Sequence, residues 1–159
     1  RIILDLRNNP GGLLDSAINI AGYFLDSGQT VVTERFGNGK EDGYQTDSNG
    51  LLKKYPLVIL LNKGSASASE ILAGALKDNR GIVVVGEKSF GKGSVQEVAD
   101  LSGKASVKIT IAKWFTPKGT SINENGIDPD IKVERTEADF KVDSDPQLDK
   151  AKEVARNLK

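Results

Sequence analysis

An apolar run that stops at a turn and continues as a helix is the feature that most restricts the fold of this chain. Residues 57–61 (LVILL) are apolar without interruption, which is typical of a strand buried on both faces. After a short turn, residues 64–79 (GSASASEILAGALKDN) have the pattern of a helix. A buried strand that turns into a helix places the junction, with its free backbone N–H groups, at the end of a sheet where its strands stop. We therefore expect the serines of this junction, Ser65, Ser67 and Ser69, to face solvent or a cleft.

The rest of the chain continues the alternation of apolar strands with helical segments. Strands are predicted at 2–6, 31–35, 57–62, 81–86 and 105–112, with a last short one within 126–133, and helices at 13–26, 66–78 and 145–158. Residues 37–54 are polar and rich in glycine and indicate a hairpin or loop. Apolar strands that alternate with helices predict the α/β class, in which helices cover a sheet.

The chain contains neither cysteine nor histidine. Their absence excludes thiol catalysis, disulfides, zinc fingers, His-based metal sites and any Ser-His-Asp triad within the chain, and no metal or cofactor is expected. A hydrolase made of these residues alone needs another base, and lysine is the leading candidate because burial lowers its pKa. Equal numbers of basic and acidic residues, 22 each, give no global field that favours a nucleic-acid partner.

Ser67 has two interpretations. Ser67 and Glu70 match the capping box, in which a serine precedes an apolar helix and a glutamate follows three residues later. The same position in the first turn of a helix suits a nucleophile, because the unpaired N–H groups there can hold the oxyanion of a tetrahedral intermediate. Ala66 and Ala68 leave room for a substrate backbone beside Ser67, and the pattern alone leaves both interpretations open.

Lys92 also has two interpretations. Residues 86–92 (GEKSFGK) nearly match the phosphate-binding loop, but glycine follows the lysine where a hydroxyl would bind Mg²⁺, and the next segment has the pattern of strand and turn. As a general base, a lysine must lose its proton near pH 7, far below its ordinary pKa of about 10.4. The apolar residues 83–85 and Phe90 are expected to supply the burial that this requires, and Gln96 is placed to orient the amine.

Asp5 and Arg7 lie beside the glycine turn at residues 8–12. They either anchor this turn through an ion pair or are simply solvated. We favour the structural role.

Four segments in order along the chain resemble the carboxyl-terminal processing proteases, also called tail-specific proteases, which are serine endopeptidases with a Ser-Lys dyad. The segments are LDLRNNPGG, GSASASEILAGALKDN, SFGKGSVQ and TPKGTSINENGIDPDIKV. The resemblance covers residues 1–133 and implies a nucleophile, a base, a residue that orients the base, and two backbone oxyanion donors. These are, in turn, Ser67, Lys92, Gln96, and the N–H groups of Ala68 and of either Gly11 or Gly12.

The resemblance also implies the fold and the setting. The family fold is similar to the crotonase and Clp-protease core, a ββα superhelix. Its substrates are proteins with exposed, often apolar, C-terminal tails, and its members act in the bacterial periplasm or cell envelope or in the thylakoid lumen. Homo-oligomers, and membrane association through parts outside this chain, are compatible with it. The alternative of the same fold is a non-catalytic module that binds peptide or acyl ligands.

We expect the chain to comprise a protease core at residues 1–135 and a charged helical tail at 136–159. Members of the resembled family carry a PDZ domain before the core. Because the chain starts inside the apolar run of residues 2–4 and contains no PDZ sequence, we expect it to be a segment of a longer protein.

Overall fold

The computed structural model describes residues 1–158, which form two four-stranded sheets and four α-helices. In chain order the elements are β1 (Ile2–Asp5), α1 (Leu14–Phe24), β2 (Thr30–Phe36), β3 (Glu41–Gln45), β4 (Leu57–Leu61), α2 (Ala68–Arg80), β5 (Val83–Gly86), β6 (Ser94–Asp100), β7 (Ser106–Phe115), β8 (Ile131–Lys132), α3 (Glu137–Lys141) and α4 (Pro146–Asn157). A short 3₁₀ turn at Ser102–Lys104 joins β6 to β7. The predicted α/β class is confirmed.

The first sheet is parallel, with strand order β1-β4-β5-β8. Its central strand β4 is buried along its whole length because it packs on both faces. Alternate side chains point to opposite faces of a strand. Leu57, Ile59 and Leu61 therefore join a core shared with α1 and α2, while Val58 and Leu60 join a second core beneath α4.

The second sheet is antiparallel, with strand order β3-β2-β7-β6. Helix α2 contacts strands of both sheets, and nine consecutive residues at its start, 68–76, are buried. A helix that is buried on all sides belongs between two layers. This position fixes the N-terminus of α2 at the carboxyl end of β4, where the sequence placed the serine junction.

Two strands were predicted without exact bounds. The strand and turn indicated after Lys92 are confirmed by β6 and the 3₁₀ turn that follows it, and the hairpin indicated within residues 37–54 is confirmed by β3, which pairs antiparallel with β2. Most side chains of β6 are exposed or half-buried, so the strand is held by its antiparallel pairing with β7 rather than by an apolar face. The pairing is irregular between Val95 and Gln96, which is where a β-bulge can redirect a side chain.

Candidate active site

Ser67 lies at the junction of β4 and α2 in a backbone conformation that L-residues rarely adopt. It is the N-cap residue of α2, with φ +57° and ψ −121°, and its side chain is half-buried. A non-glycine residue in such a region costs about 1–3 kcal/mol and persists only where its surroundings hold it. The strain therefore requires contacts that fix this turn.

Glu70 supplies those contacts. Its side chain is fully buried, and each of its two carboxylate oxygens accepts two hydrogen bonds. Oε2 accepts from the backbone N–H of Ser67 at 2.8 Å and of Lys92 at 2.9 Å. Oε1 accepts from the Ser89 hydroxyl and from the Gly91 N–H, both at 2.6 Å. One buried carboxylate thus joins the serine turn to the lysine loop, with Ser67 and Lys92 sharing a single oxygen.

In the capping box at the start of α2, the glutamate side chain accepts the hydrogen bond from the Ser67 N–H. Glu70 and Ser67 stand in the capping-box arrangement, but the Ser67 side chain makes no cap hydrogen bond, and the Glu70 N–H donates to the Ser67 carbonyl oxygen at 2.9 Å instead. Ser65 is the structural serine of the junction, since its hydroxyl donates to the Leu6 carbonyl at 2.8 Å and is fully buried. The Ser67 hydroxyl is therefore not committed to helix capping.

The turn after β1 lies directly against Ser67. A Cβ added to Gly11 would come within 2.7 Å of the Ser67 Cβ and 2.9 Å of the Ala68 nitrogen, so only glycine fits there. Gly11 also has φ +98°, a conformation that favours glycine. The two turns are joined by a hydrogen bond from the Ala66 N–H to the Asn9 carbonyl at 3.0 Å. The sequence predicted this meeting of the glycine turn with the serine turn only through the family resemblance.

The free backbone donors near Ser67 distinguish the two glycines. The Gly11 N–H donates to the Asn9 side-chain oxygen at 3.0 Å. Within residues 1–158, the N–H groups of Gly12 and Ala68 have no hydrogen-bond acceptor. Gly12 and Ala68 both line the same pocket, so both are placed beside a space that a ligand can enter.

That pocket has a volume of about 260 Å³ and opens beside the serine turn. Its walls are mostly apolar. The apolar side chains that line it are those of Leu6, Leu13, Ala17, Ile20, Ala68 and Leu72. This pocket was not predicted from the sequence, because its lining combines two distant stretches, residues 6–20 and 68–72.

The position of Lys92 corrects one expectation. Lys92 is exposed, and 69% of the Phe90 surface is exposed to solvent. The prediction that Phe90 buries Lys92 is therefore wrong. Val84 and Val85 point into the two cores of the parallel sheet and are fully buried away from solvent. The backbone N–H groups of Gly91 and Lys92 point towards the buried Glu70 carboxylate. The Lys92 side chain therefore points towards solvent.

Gln96 lies on β6, four residues after Lys92, and is exposed. A phosphate-binding loop needs a helix after its lysine, and the structure has strand β6 there instead. The N–H groups of Gly91 and Lys92, which would cradle a phosphate, already donate to the Glu70 carboxylate. The nucleotide-binding alternative is therefore wrong.

Asp5 and Arg7 form the ion pair that the sequence analysis favoured, with Arg7 Nη2 2.8 Å from Asp5 Oδ2. Arg7 also donates through Nη1 to Asp145 Oδ1 at 2.8 Å. These hydrogen bonds to carboxylates, Asp5 first, raise the pKa of the Arg7 guanidinium further above its ordinary value. In return, the Arg7 hydrogen bond lowers the pKa of Asp145. Asp145 was predicted only as the start of the last helix, and nothing in the sequence connects it to Arg7.

The structure thus defines a mixed α/β domain with a serine at a strained strand-to-helix turn and a lysine on the loop tied to it. The chain belongs to peptidase family S41, whose sequence profile matches residues 1–133. This match confirms the family that the four segments predicted.

Three relatives illustrate the similarity. The chain is 44% identical over 133 residues to the chloroplastic C-terminal processing peptidase of Tetradesmus obliquus, covering 84% of this chain and 28% of the relative. It is 47% identical over 135 residues to the carboxy-terminal-processing protease of Bartonella bacilliformis, covering 84% of this chain and 31% of the relative. The solved structure of a photosystem II D1 C-terminal processing protease is 44% identical with a TM-score of 0.77, over 83% of this chain and 34% of that one.

The chain therefore spans about a third or less of the length of these relatives. Across residues 1–158, the helices are all too short or too polar to cross a membrane.

Proposed function

We propose that this chain is the catalytic core of a serine endopeptidase in which Ser67 is the nucleophile and Lys92 is the general base. The observation that carries this proposal is the Glu70 carboxylate, which holds the backbone nitrogens of both residues on one oxygen. A nucleophile and a base on separate loops need such a fixed relation, since catalysis depends on their mutual orientation.

The proposed reaction is an acyl transfer through a covalent acyl-enzyme. Lys92 accepts the proton of the Ser67 hydroxyl, and Ser67 Oγ forms a bond to the carbonyl carbon of the scissile peptide. The tetrahedral intermediate then collapses, the C–N bond breaks, and Lys92 returns the proton to the leaving amine. Water attacks the acyl-enzyme with the same base and releases the second product. Gln96 orients the Lys92 amine from β6.

The oxyanion donors in this proposal are the N–H groups of Ala68 and Gly12. Both lack an acceptor within residues 1–158, and both line the pocket beside Ser67. Gly11 is assigned the other role, because its N–H is taken by Asn9 and its missing side chain permits the close approach to Ser67. Backbone donors of this kind are typically worth about 10²–10³ in rate.

The proposed substrates are proteins with an exposed, apolar C-terminal tail. The pocket of about 260 Å³ suits one apolar side chain next to the cleaved bond, because its lining is mostly apolar and carries no charged residue. We place the protein outside the cytoplasm, in the bacterial periplasm or cell envelope or in the thylakoid lumen. Homo-oligomers, and membrane association through other parts of the protein, are compatible with this assignment, which includes neither nucleic acid nor cofactor as a partner.

The test is hydrolysis of an unfolded protein with an apolar C-terminal tail by the full-length protein, its Ser67→Ala variant and its Lys92→Ala variant. We expect both variants to lose cleavage. Lys88→Ala is the matched control, since Lys88 lies on the same loop, is exposed and pairs only loosely with Asp128 at 3.7 Å.

Two results would contradict the proposal. Cleavage by Ser67→Ala at the wild-type rate would exclude Ser67 as the nucleophile. Wild-type protein that binds the tail peptide without cleaving it would favour the non-catalytic module, and the exposed side chain of Lys92 is the observation that speaks for that alternative.

A further inference from the structure

The start of helix α4 reaches the turn that carries the proposed oxyanion donor. Asp145 immediately precedes α4, and Arg7 immediately precedes the turn at residues 8–12. Arg7 Nη1 donates to Asp145 Oδ1 at 2.8 Å, across 138 residues of sequence. The side chains of Arg7 and Asp145 are 13% and 20% exposed, so the pair is largely shielded from water. Helix α4 lies beyond the residues 1–133 that match the family.

One carboxylate oxygen of Asp145 accepts two hydrogen bonds. Its Oδ1 accepts from the Leu148 N–H at 2.9 Å, which makes Asp145 the N-cap of α4, and it also accepts from Arg7. Gln147, which is 1% exposed, adds a second acceptor for Arg7 Nη1 at 3.0 Å and anchors itself to the Val133 carbonyl at 2.8 Å. The start of α4 therefore accepts hydrogen bonds along one edge of the Arg7 guanidinium.

The opposite edge of the guanidinium is held by Asp5, through Arg7 Nε at 3.0 Å and Nη2 at 2.8 Å. The Arg7 backbone N–H also donates to Asp5 Oδ1 at 3.0 Å. The next residue, Asn8, has φ +55°, and its N–H donates to the Asn62 side-chain oxygen at 2.8 Å. The chain is thus fixed residue by residue as it enters the turn that ends at Gly12.

We infer that Asp145 is a positioning residue for the proposed peptidase reaction: from the start of α4 it holds Arg7, and Arg7 sets the path of residues 8–12 and hence the direction of the Gly12 N–H. The inference rests on the proposed function, because it assigns Gly12 as an oxyanion donor. It gives the segment after residue 133 a part in the active site, although none of its described residues lines the pocket beside Ser67.

The positioning role of Asp145 is separable from the docking of α4. The body of α4 packs through Ala151 and Ala155 into the second core with Val58 and Leu60. That apolar contact holds the helix on the sheet without Asp145. A change confined to Asp145 is therefore expected to shift the turn while α4 stays in place.

The experiment compares Asp145→Ser with Ala151→Gly in the full-length protein. Serine keeps the N-cap of α4 but is too short to reach Arg7, whereas Ala151→Gly loosens α4 without touching Arg7. We expect Asp145→Ser to lower kcat about 10- to 100-fold with little change in KM, as a misplacement of about 1 Å does. Asp145→Asn keeps an acceptor oxygen but not the charge, and is expected to lose less than Asp145→Ser.

Hydrogen exchange of residues 6–14 provides a readout that does not depend on activity. We expect faster exchange there in Asp145→Ser and not in Ala151→Gly. Unchanged exchange together with wild-type kcat in Asp145→Ser would overturn the inference, as would equal losses of kcat in Asp145→Ser and Ala151→Gly. If the wild-type protein shows no Ser67-dependent hydrolysis, the proposed function fails, and the exchange comparison alone then decides whether Asp145 orders the turn.

Discussion

Glu70→Gln is the substitution that most directly tests how the site is held together. The carboxylate accepts four hydrogen bonds with no exposure to water. In glutamine one oxygen becomes an NH₂ group, which faces N–H donors, and the remaining oxygen is neutral. Hydrogen bonds to a charged group are worth about 1.5–3 kcal/mol against about 0.5–1.5 for neutral ones, and a buried donor left unpaired costs about 1–3 kcal/mol.

The least costly orientation turns the NH₂ group towards Ser89, whose hydroxyl can rotate and accept from it, so that the Gly91 N–H is left unpaired and the two bonds on the remaining oxygen are weakened. These terms predict a loss of about 3–5 kcal/mol in the free energy of unfolding. For a chain of this size each kcal/mol lowers the melting temperature by about 2–4 °C, so a fall of about 6–20 °C is expected in a thermal unfolding curve. The strained Ser67 turn loses the bond that holds it. We therefore expect kcat to fall about 10²-fold, measured well below the melting temperature.

Two control variants separate an effect on the geometry of the site, read from kcat, from an effect on the stability of the fold, read from the melting temperature. Glu97→Gln changes an exposed glutamate on β6 and is expected to leave both the melting temperature and kcat unchanged. Leu76→Ala, in the last turns of α2, removes about 2–5 kcal/mol from the core and matches the destabilisation without reaching Ser67. If Glu70→Gln unfolds at a lower temperature but retains the kcat of Leu76→Ala, the reasoning that Glu70 positions the dyad is refuted.

Two further predictions concern the turn and its anchor. Gly11→Ala is expected to lower the melting temperature and abolish cleavage, because its Cβ would lie 2.7 Å from the Ser67 Cβ. A Cβ at Gly12 would meet open space, so Gly12→Ala should unfold as the wild type does. Equal melting curves for the two variants would contradict the close approach of Gly11 to Ser67. Because Arg7 lowers the pKa of Asp145, the pair stabilises the fold above pH about 4 and this contribution is lost as the pH falls through the lowered pKa. Asp145→Ser should therefore flatten acid unfolding below pH about 4, followed by circular dichroism.

The strand-to-helix junction could be predicted because local patterns encode it. An unbroken apolar run at Leu57–Leu61 specifies a strand covered on both faces, and the structure covers it with α2 on one side and α4 on the other. The serine and glutamate three residues apart stand at the N-cap and N3 positions of α2, which starts at Ala68, two residues after the predicted bound. Helix α4 was likewise predicted from its local pattern, at residues 145–158, and is observed at Pro146–Asn157.

What could not be predicted depends on contacts between distant segments. The sequence indicated a strand after Lys92 but not its bounds or its partner, because β6 has no apolar face and is stabilised by backbone hydrogen bonds to β7. Glu70 appeared as a cap, and no spacing in the sequence shows that its carboxylate also reaches Ser89, Gly91 and Lys92, 19 to 22 residues away. The exposure of Lys92 was missed for the same reason, since the direction of its loop is set by that carboxylate.

Ser67 can stand at the helix cap and also be a nucleophile, because the two hydrogen bonds of a capping box involve different side chains. A helix start must satisfy its first N–H groups, and a serine that caps it spends its hydroxyl on that task. Here the Glu70 side chain satisfies the Ser67 N–H, and the Ser67 carbonyl accepts from Glu70, so neither bond uses the hydroxyl. The Ala68 N–H is left without an acceptor in residues 1–158. The glutamate therefore caps the helix in a way that leaves one hydroxyl and one N–H free at the same turn, and these are the two groups that a serine nucleophile requires.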